Sequence, residues 1–298
     1  MKLSEKIRQE LLQIAMEAAE AAGKMIRQLS KGSFQVFQKE GTSITSQVVT
    51  EVDFKSEELI LQHFNPTIEK YRLGLLTEET TDDQTRLTKD YFWCIDPLDG
   101  TLPFAENQKG YAVSIALVSQ SGESEISVVF DPVHEIIYAG LKGKGLSKNK
   151  VNWVETTYES ENEDTLVLFM DRSFRTDPLY ADQTLLNQMA EKAGYKELEI
   201  IMDHGGVMNA VSVLEHPNAA YFKFPKVEKG GGSIWDYAAT AGLFREAKKP
   251  VTDFWEQPLN LNNPETTYMH QKGILYASND IIAQAVRSCY YLRSESTK

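Results

Sequence analysis

The chain has 298 residues, 42% of them hydrophobic, enough to bury the core of one large domain or two closely packed ones. The 43 acidic and 31 basic side chains give a formal net charge of -12, which disfavours a nucleic-acid polymer or an anionic lipid surface as partner. With no stretch of about twenty apolar residues and no uninterrupted apolar leader, the sequence predicts a cytoplasmic protein that does not enter a membrane. Cys94 and Cys289 have no partner at metal-ligand or redox spacing and are expected to be buried free thiols.

Residues 1–30 carry Leu3, Ile7, Leu11, Ile14, Ala18, Ala22, Met25 and Leu29 at nearly helical spacing, with charges between them, and predict an amphipathic helix. A polar stretch, Lys31 to Ser46, separates it from Val48-Val49-Thr50-Glu51-Val52-Asp53, which leads into a second helical pattern through Ile60, Leu61 and Phe64. Asp53 falls near the start of that helix, where a carboxylate caps the end or complements the dipole. Leu73 to Leu76 form a short strand that stops at Thr77-Glu78-Glu79. Tyr91-Phe92-Trp93-Cys94-Ile95 has the aromatic and β-branched makeup of a buried strand, and it stops at Asp96-Pro97-Leu98-Asp99-Gly100-Thr101.

Val113 to Val118, Ile126 to Phe130 and Ile136 to Ala139 predict an antiparallel meander, punctuated by Ser121-Gly122 and Asp131-Pro132. Leu141-Lys142-Gly143-Lys144-Gly145 lacks both Walker and dinucleotide spacing and is read as a hairpin turn. The aperiodic segment Val154 to Asp164 marks a boundary between two subdomains, residues 1–155 and 156–298. Beyond it the pattern alternates: strand at Thr165 to Met170, helix at Leu179 to Ala193, strand at Leu198 to Ile201, helix at Asn209 to Leu214, strand at Ala219 to Phe224. That alternation predicts an α/β layer. Lys229-Gly230-Gly231-Gly232-Ser233 then precedes a small-residue helix from Ile234 to Ala241 that carries Asp236 in its first turn.

Glu78, Asp96, Asp99 and Asp236 each lie at the end of an apolar element rather than within a solvated face. Burying a carboxylate costs several kcal/mol unless cations or hydrogen bonds offset it, so this shared placement points to a site. Oxygen ligands without neighbouring His or Cys favour Mg²⁺ or Mn²⁺ over zinc. Gly100 and Thr101 are placed to offer backbone N–H groups to a phosphate if a helix starts there, Pro103 suits its first turn, and the Thr101 hydroxyl is placed to help hold a water. The competing reading of Asp96 and Asp99 is a capped turn. Glu79, Asp82 and Asp83 are expected in an exposed acidic loop, and the five scattered histidines, His63, His134, His204, His216 and His270, outside the chemistry. Haloacid-dehalogenase-type phosphatases also use acidic strand ends, but with Asp-x-Asp spacing, whereas this chain has Asp-x-x-Asp.

Asp96-Pro97-Leu98-Asp99-Gly100-Thr101, with Thr77-Glu78-Glu79 upstream, Ile234-Trp235-Asp236-Tyr237-Ala238-Ala239 downstream and Val49-Thr50-Glu51-Val52-Asp53 before them, resembles the motif set of the inositol monophosphatase superfamily. The resemblance implies a mixed α+β, α/β fold layered α-β-α-β-α, with the site between two subdomains, and a lithium-sensitive, Mg²⁺-dependent phosphomonoesterase acting through water rather than a covalent intermediate. It implies one metal on Glu78, Asp96, the Leu98 carbonyl and Asp99, a second on Asp96, Asp99 and Asp236, a third joining through water and Glu78 when substrate is present, and Mn²⁺ as a possible substitute. Thr101, paired with Asp53, would help Glu78 ready the attacking water, and Asp99, Gly100, Thr101 and Asp236 would meet the substrate.

The chain departs from the pattern at Leu102-Pro103, and at Lys229, which stands seven residues before Asp236 where inositol monophosphatases place a substrate-binding glutamate; Glu228 is one residue out of register. A lysine suits a second phosphate better than a polyol hydroxyl. Lys229 is therefore assigned to substrate binding, and the expected substrate is 3'-phosphoadenosine 5'-phosphate, the 3'(2'),5'-bisphosphate nucleotidase activity, with inositol 1-phosphate next. The segment from Gln257 to Ser278 also resembles the nucleotidase branch. A non-catalytic, metal-dependent nucleotide-binding protein remains the alternative, and a monomer or homodimer is expected.

Overall fold

The computed structural model describes residues 3–38, 48–153, 163–178 and 180–296. Helix α1 (Glu5–Leu29) starts at Ser4, whose hydroxyl accepts from the Ile7 amide at 3.3 Å. Helix α2 (Glu51–Tyr71) follows the short antiparallel pair β1 (Val36–Gln38) and β2 (Val48–Thr50). Among the described residues a seven-stranded sheet comprises β3 (Gly74–Thr77), β4 (Tyr91–Asp99), β5 (Ala112–Ser119), β6 (Ser124–Asp131), β7 (Ile136–Leu141), β8 (Gly145–Lys148) and β9 (Val151–Asn152), in that order. Helix α3 (Thr101–Ala105) sits between β4 and β5. The expected meander is β5 to β7, extended by β8 and β9, and the Lys142–Lys144 turn closes the β7–β8 hairpin.

The C-terminal part contains β10 (Thr165–Phe169), α4 (Gln183–Lys192), β11 (Glu197–Ile201), α5 (Gly206–Glu215), β12 (Ala219–Lys223), α6 (Ile234–Ala247), β13 (Val251–Thr252), β14 (Ile274–Ala277) and α7 (Asp280–Ser296). Its five strands order as β11-β10-β12-β14-β13, with β10 parallel to both of its neighbours. Three apolar clusters set the layering. Leu11, Ala18, Ile60 and Phe64 of α1 and α2 pack on Trp93, Ile115 and Val128 of the large sheet. Phe92, Cys94 and Val118 on its opposite face pack with Val211 and Ala238 of α5 and α6, which also meet Val167, Tyr221 and Tyr276 of the second sheet. The outer face of that sheet, Leu168, Phe222 and Leu275, is covered by Leu186 of α4 and Val286 of α7. The result is the α-β-α-β-α sandwich implied by the resemblance. Burial on both faces explains why β4 reads as a continuous apolar run instead of an alternating one.

Two helix starts differ from expectation. Helix α4 begins at Gln183 because the Asp182 carboxylate caps it, accepting from the Thr184 and Leu185 amides at 3.1 and 3.2 Å; Leu179 lies outside the described residues. Helix α5 begins three residues before Asn209, at Gly206, because a carboxylate distant in sequence receives its first amides. The boundary drawn between residues 155 and 156, and residues 39–46 of the polar stretch, also lie outside the described residues. Among those described, no helix is long and apolar enough to cross a membrane. Cys94 and Cys289 are buried free thiols, as expected.

Helix α1 approaches β6 closely only because residue 23 is glycine: a Cβ there would come within 2.0 Å of the Phe130 ring. Gly23→Ala is expected to cost about 1–3 kcal/mol by overpacking, seen as a lower urea midpoint with an unchanged slope.

Candidate active site

Strands β3 and β4 are parallel neighbours with Thr77 opposite Ile95, so Glu78, just past the end of β3, comes beside Asp96 of β4. The Glu78 amide still donates to the Ile95 carbonyl at 3.2 Å. Pairing between β4 and β5 shifts register between Asp96 and Asp99, where Pro97 and Leu98 arch away from the ladder. The arch is pinned from both sides. The Leu98 amide donates to Asp96 Oδ1 at 3.1 Å, and the Ser56 hydroxyl of α2 donates to the Pro97 carbonyl at 2.7 Å. Gly100 then turns the chain with φ of 82°, a conformation open to glycine.

From the opposite side, α6 delivers Asp236 in its first turn. Ser233 and Asp236 form a capping box, with the Ser233 amide donating to Asp236 Oδ2 at 2.9 Å. Carboxylate oxygens of Asp96, Asp99 and Asp236 thereby lie within 4.8 Å of one another. Asp99 is further held by the start of α5: the Gly206 amide donates to Oδ1 at 3.1 Å and the Val207 amide to Oδ2 at 2.9 Å. This approach demands glycine at 205, where a Cβ would stand 2.4 Å from Asp99 Oδ2.

Two further groups organise the rim. Glu57, buried on α2, accepts from the Thr77 hydroxyl at 2.9 Å, from the Glu79 amide at 3.1 Å and from the Thr80 hydroxyl, so one carboxylate gathers the turn that carries Glu78. Asp53 both caps and reaches the site. Its Oδ2 accepts from the Thr50 amide at 2.8 Å and the Thr50 hydroxyl at 2.6 Å, while its Oδ1 lies 2.9 Å from the Thr101 hydroxyl, which is also 3.2 Å from the Leu98 carbonyl.

Burial pushes the Asp99 carboxyl well above its ordinary range, and neighbouring Asp236 and Glu78 push it further, against the Val207 amide and Lys223. Asp236 is raised to about 6, by burial first, with Lys223 opposing and Glu78 adding. Asp53 is also raised to about 6, by burial, in spite of its hydrogen bonds from Thr50 and Thr101. The cluster thus concentrates more negative charge than its amides and Lys223 offset. A set of hard oxygen donors with that surplus, and no nitrogen or sulfur among them, fits a divalent cation of the Mg²⁺ type.

The cluster lies at one wall of a cleft of about 350 Å³, which Glu78, Asp96, Leu98, Asp99, Gly100, Thr101 and Asp236 all border, as do Leu102 and Pro103. Asp53 lies behind Thr101, fully buried. Lys229 is not brought to this place: it is exposed and does not border the cleft. Counting back seven residues from Asp236 lands in the long connection between β12 and α6, whereas the lysines that do border the cleft are Lys223, at the end of β12, and Lys226. Lys223 pairs with Asp171 at 2.7 Å; burial alone would lower its pKa, but Asp171, Tyr237 and Asp236 outweigh that and hold it protonated. Asp82 also departs from the exposed acidic loop, pairing at 2.7 Å with the buried Arg86 guanidinium. Ser56, Glu57, Lys223 and the α5 amides were not assigned from sequence. Of these only Gly205-Gly206 ahead of an apolar helix carries a local signal, that of an anion-binding helix start.

A layered sandwich whose central cleft gathers buried carboxylates beside helix-start amides has the parts of a metal-assisted phosphatase. The chain belongs to the inositol monophosphatase family, whose model matches residues 7–290, and it is a phosphatase. It is 25% identical over 252 residues to the inositol-1-monophosphatase of Bacillus subtilis strain 168, covering 84% of this chain and 87% of that protein. It is 30% identical over 235 residues to the histidinol-phosphatase of Chlorobaculum parvum, covering 76% and 85%. In fold it matches an IMPase/NADP phosphatase complexed with Mg²⁺ and phosphate, with a TM-score of 0.70, 18% identity and 95% of each chain covered.

Asp53 and Asp236 give the metal-free protein a defined pH response. Between the ordinary carboxyl value of 3.8 and about 6, the folded chain holds protons that the unfolded chain has lost. Stability in the presence of a chelator is therefore expected to fall as pH rises through that window, read from urea midpoints at pH 4.5, 5.5 and 7. Added Mg²⁺ is expected to raise the midpoint most at pH 7.

Proposed function

We propose that the cleft hydrolyses the phosphate monoester of a small metabolite with Mg²⁺ held by Glu78, Asp96, the Leu98 carbonyl, Asp99 and Asp236, two ions at rest and a third with substrate, Mn²⁺ substituting. The observation that carries this reading is the gathering of Asp96, Asp99 and Asp236 oxygens within 4.8 Å in a largely buried wall of the cleft. Cations bound there would neutralise the phosphoryl charge, favour deprotonation of water and stabilise the departing oxygen.

The chain's own groups orient the reaction. The Thr101 hydroxyl directs its proton to Asp53 Oδ1, leaving its oxygen lone pairs to accept a hydrogen bond from the attacking water. Glu78, held by the turn that Glu57 organises, accepts the proton that the water releases. Gly100 and Thr101 border the cleft where phosphoryl oxygens meet backbone amides. Water attacks directly, so no phosphoaspartate forms. The two subdomains, 1–155 and 156–298, meet at the cleft, the second contributing Asp236, and the protein works in the cytoplasm.

For the ester itself we assign 3'-phosphoadenosine 5'-phosphate, ahead of inositol 1-phosphate. Support comes from the cleft wall: Lys223 and Lys226 supply positive charge, and Phe174, Trp235 and Tyr268 supply flat apolar surface for a base. Phosphate release with 3'-phosphoadenosine 5'-phosphate, inositol 1-phosphate and fructose 1,6-bisphosphate, with and without lithium, tests the assignment by kcat/KM. The expected result is Mg²⁺-dependent, lithium-inhibited turnover with the nucleotide preferred.

Asp99→Asn is expected to lower kcat by about two to three orders of magnitude without changing the far-UV circular dichroism, since a charged donor leaves a preorganised cluster. Turnover near that of the unaltered protein would refute the metal assignment. Glu57→Gln is expected to raise the Mg²⁺ concentration for half-maximal activity about tenfold, because the turn carrying Glu78 loses a charged anchor.

A further inference from the structure

Helix α2 turns polar groups inward where a helix packed on a sheet ordinarily buries apolar ones. Asp53, Ser56 and Glu57 stand at i, i+3 and i+4, the spacing of one helical face. They are 0%, 0% and 6% exposed, and each grips a different segment of the site. Asp53 receives the Thr101 hydroxyl, Glu57 gathers the turn from Thr77 to Thr80, and Ser56 donates to the Pro97 carbonyl at 2.7 Å. Farther along, the same helix is locked to β4 itself. Phe64 stacks on Trp93 with ring centres 4.2 Å apart, and Trp93 Nε1 donates to the Thr67 hydroxyl at 3.0 Å.

The arch at Pro97 needs this hold. From Asp96, opposite Ser114, to Asp99, opposite Ala112, β4 takes three steps against two on β5, so the strand carries one residue in excess there. Pro97 has no N–H to pair, and a helix fixed to the same strand supplies the donor for its carbonyl. The next carbonyl, that of Leu98, is the one assigned to a cation. A carbonyl ligand has no rotamers, so its place is whatever the backbone gives it. Mg²⁺ demands near-octahedral oxygens at about 2.0–2.1 Å, whereas Ca²⁺ accepts about six to eight at about 2.3–2.6 Å in adaptable geometry. Slack in the arch therefore costs Mg²⁺ more than it costs Ca²⁺.

We infer that Ser56 is a positioning residue: by clamping the Pro97–Leu98 arch it makes the carboxylate cluster prefer Mg²⁺ to the larger Ca²⁺. The inference rests on the metal reading above and adds which ion the cluster disfavours and what sets that choice. Ser56 is fully buried and does not border the cleft, so it acts only through the backbone of Pro97.

Calorimetric titration of the chelator-treated full chain with Mg²⁺ and, separately, with Ca²⁺ at pH 8 gives the ratio of the two dissociation constants without any turnover. The unaltered protein is expected to bind Mg²⁺ more tightly. Ser56→Ala introduces a good helix former of nearly the same size, so the helix stays intact. It is expected to weaken Mg²⁺ about tenfold, the lower end of the loss when a partner behind a ligand is removed, and Ca²⁺ by less than about threefold. Gly23→Ala, which crowds the distant contact between α1 and β6, is expected to leave the ratio unchanged and so separates this effect from a general loss of stability. An unchanged ratio in Ser56→Ala, whether both ions weaken alike or neither does, overturns the inference. So does a ratio shifted as far by Gly23→Ala, or an unaltered protein that binds both ions without preferring Mg²⁺. In each of those cases the metal reading stands, whereas no binding of Mg²⁺ to the unaltered protein removes both.

Discussion

Burial of Asp96, Asp99 and Asp236 side by side is the constraint around which the molecule is arranged. Three carboxylates in one space, largely withdrawn from water, oppose folding: burial raises Asp99 and Asp236 first, and neighbouring carboxylates, Asp236 and Glu78 for Asp99 and Glu78 for Asp236, raise them further. The fold brings them together by covalent and packing geometry that leaves no alternative. Asp96 and Asp99 lie in the last part of a strand buried on both faces, and Asp236 sits in the first turn of a helix packed against the same sheet. Apolar burial at roughly 25 cal/mol per Å² across these layers supplies the stabilisation against which the cluster is assembled.

Hydrogen bonds then set where each carboxylate points. Asp99 takes two amides from the start of α5, Asp236 takes one from its own capping box, and Asp96 takes the Leu98 amide within the arch. Asp53 shows how a local structural role and a chemical role coexist in one side chain: Oδ2 completes the α2 capping box while Oδ1 receives Thr101. The cap gives Asp53 a fixed position, and that fixity is what the hydroxyl of Thr101 requires.

Much of the scaffold was legible from residues 1–150. The helical spacing of α1, the buried run of β4 and the alternation of the meander each encode local structure by periodicity, and the motifs at Glu78, Asp96 and Asp236 mark where those elements stop. What escaped was set by contacts between distant segments. The start of α5 depends on Asp99, more than one hundred residues earlier, which no local pattern reveals. Lys229 was assigned by counting along the chain, but the connection between β12 and α6 places that count in an exposed loop, and the lysines that border the cleft are Lys223 and Lys226. Glu57 and Ser56 look like ordinary helix-surface residues until the turns that they hold are placed beside them.

Calorimetric titration of the chelator-treated protein with Mg²⁺, in buffers of different ionisation enthalpy, examines the carboxylate cluster without relying on any substrate. Burial raises Asp236 to about 6 and Asp99 well above its ordinary range, so Mg²⁺ binding must displace protons, and the heat is predicted to depend on the buffer at pH 6 and to depend on it less as pH rises to 8. No binding of Mg²⁺ at either pH would contradict the assignment of Asp96, Asp99 and Asp236 as a metal centre.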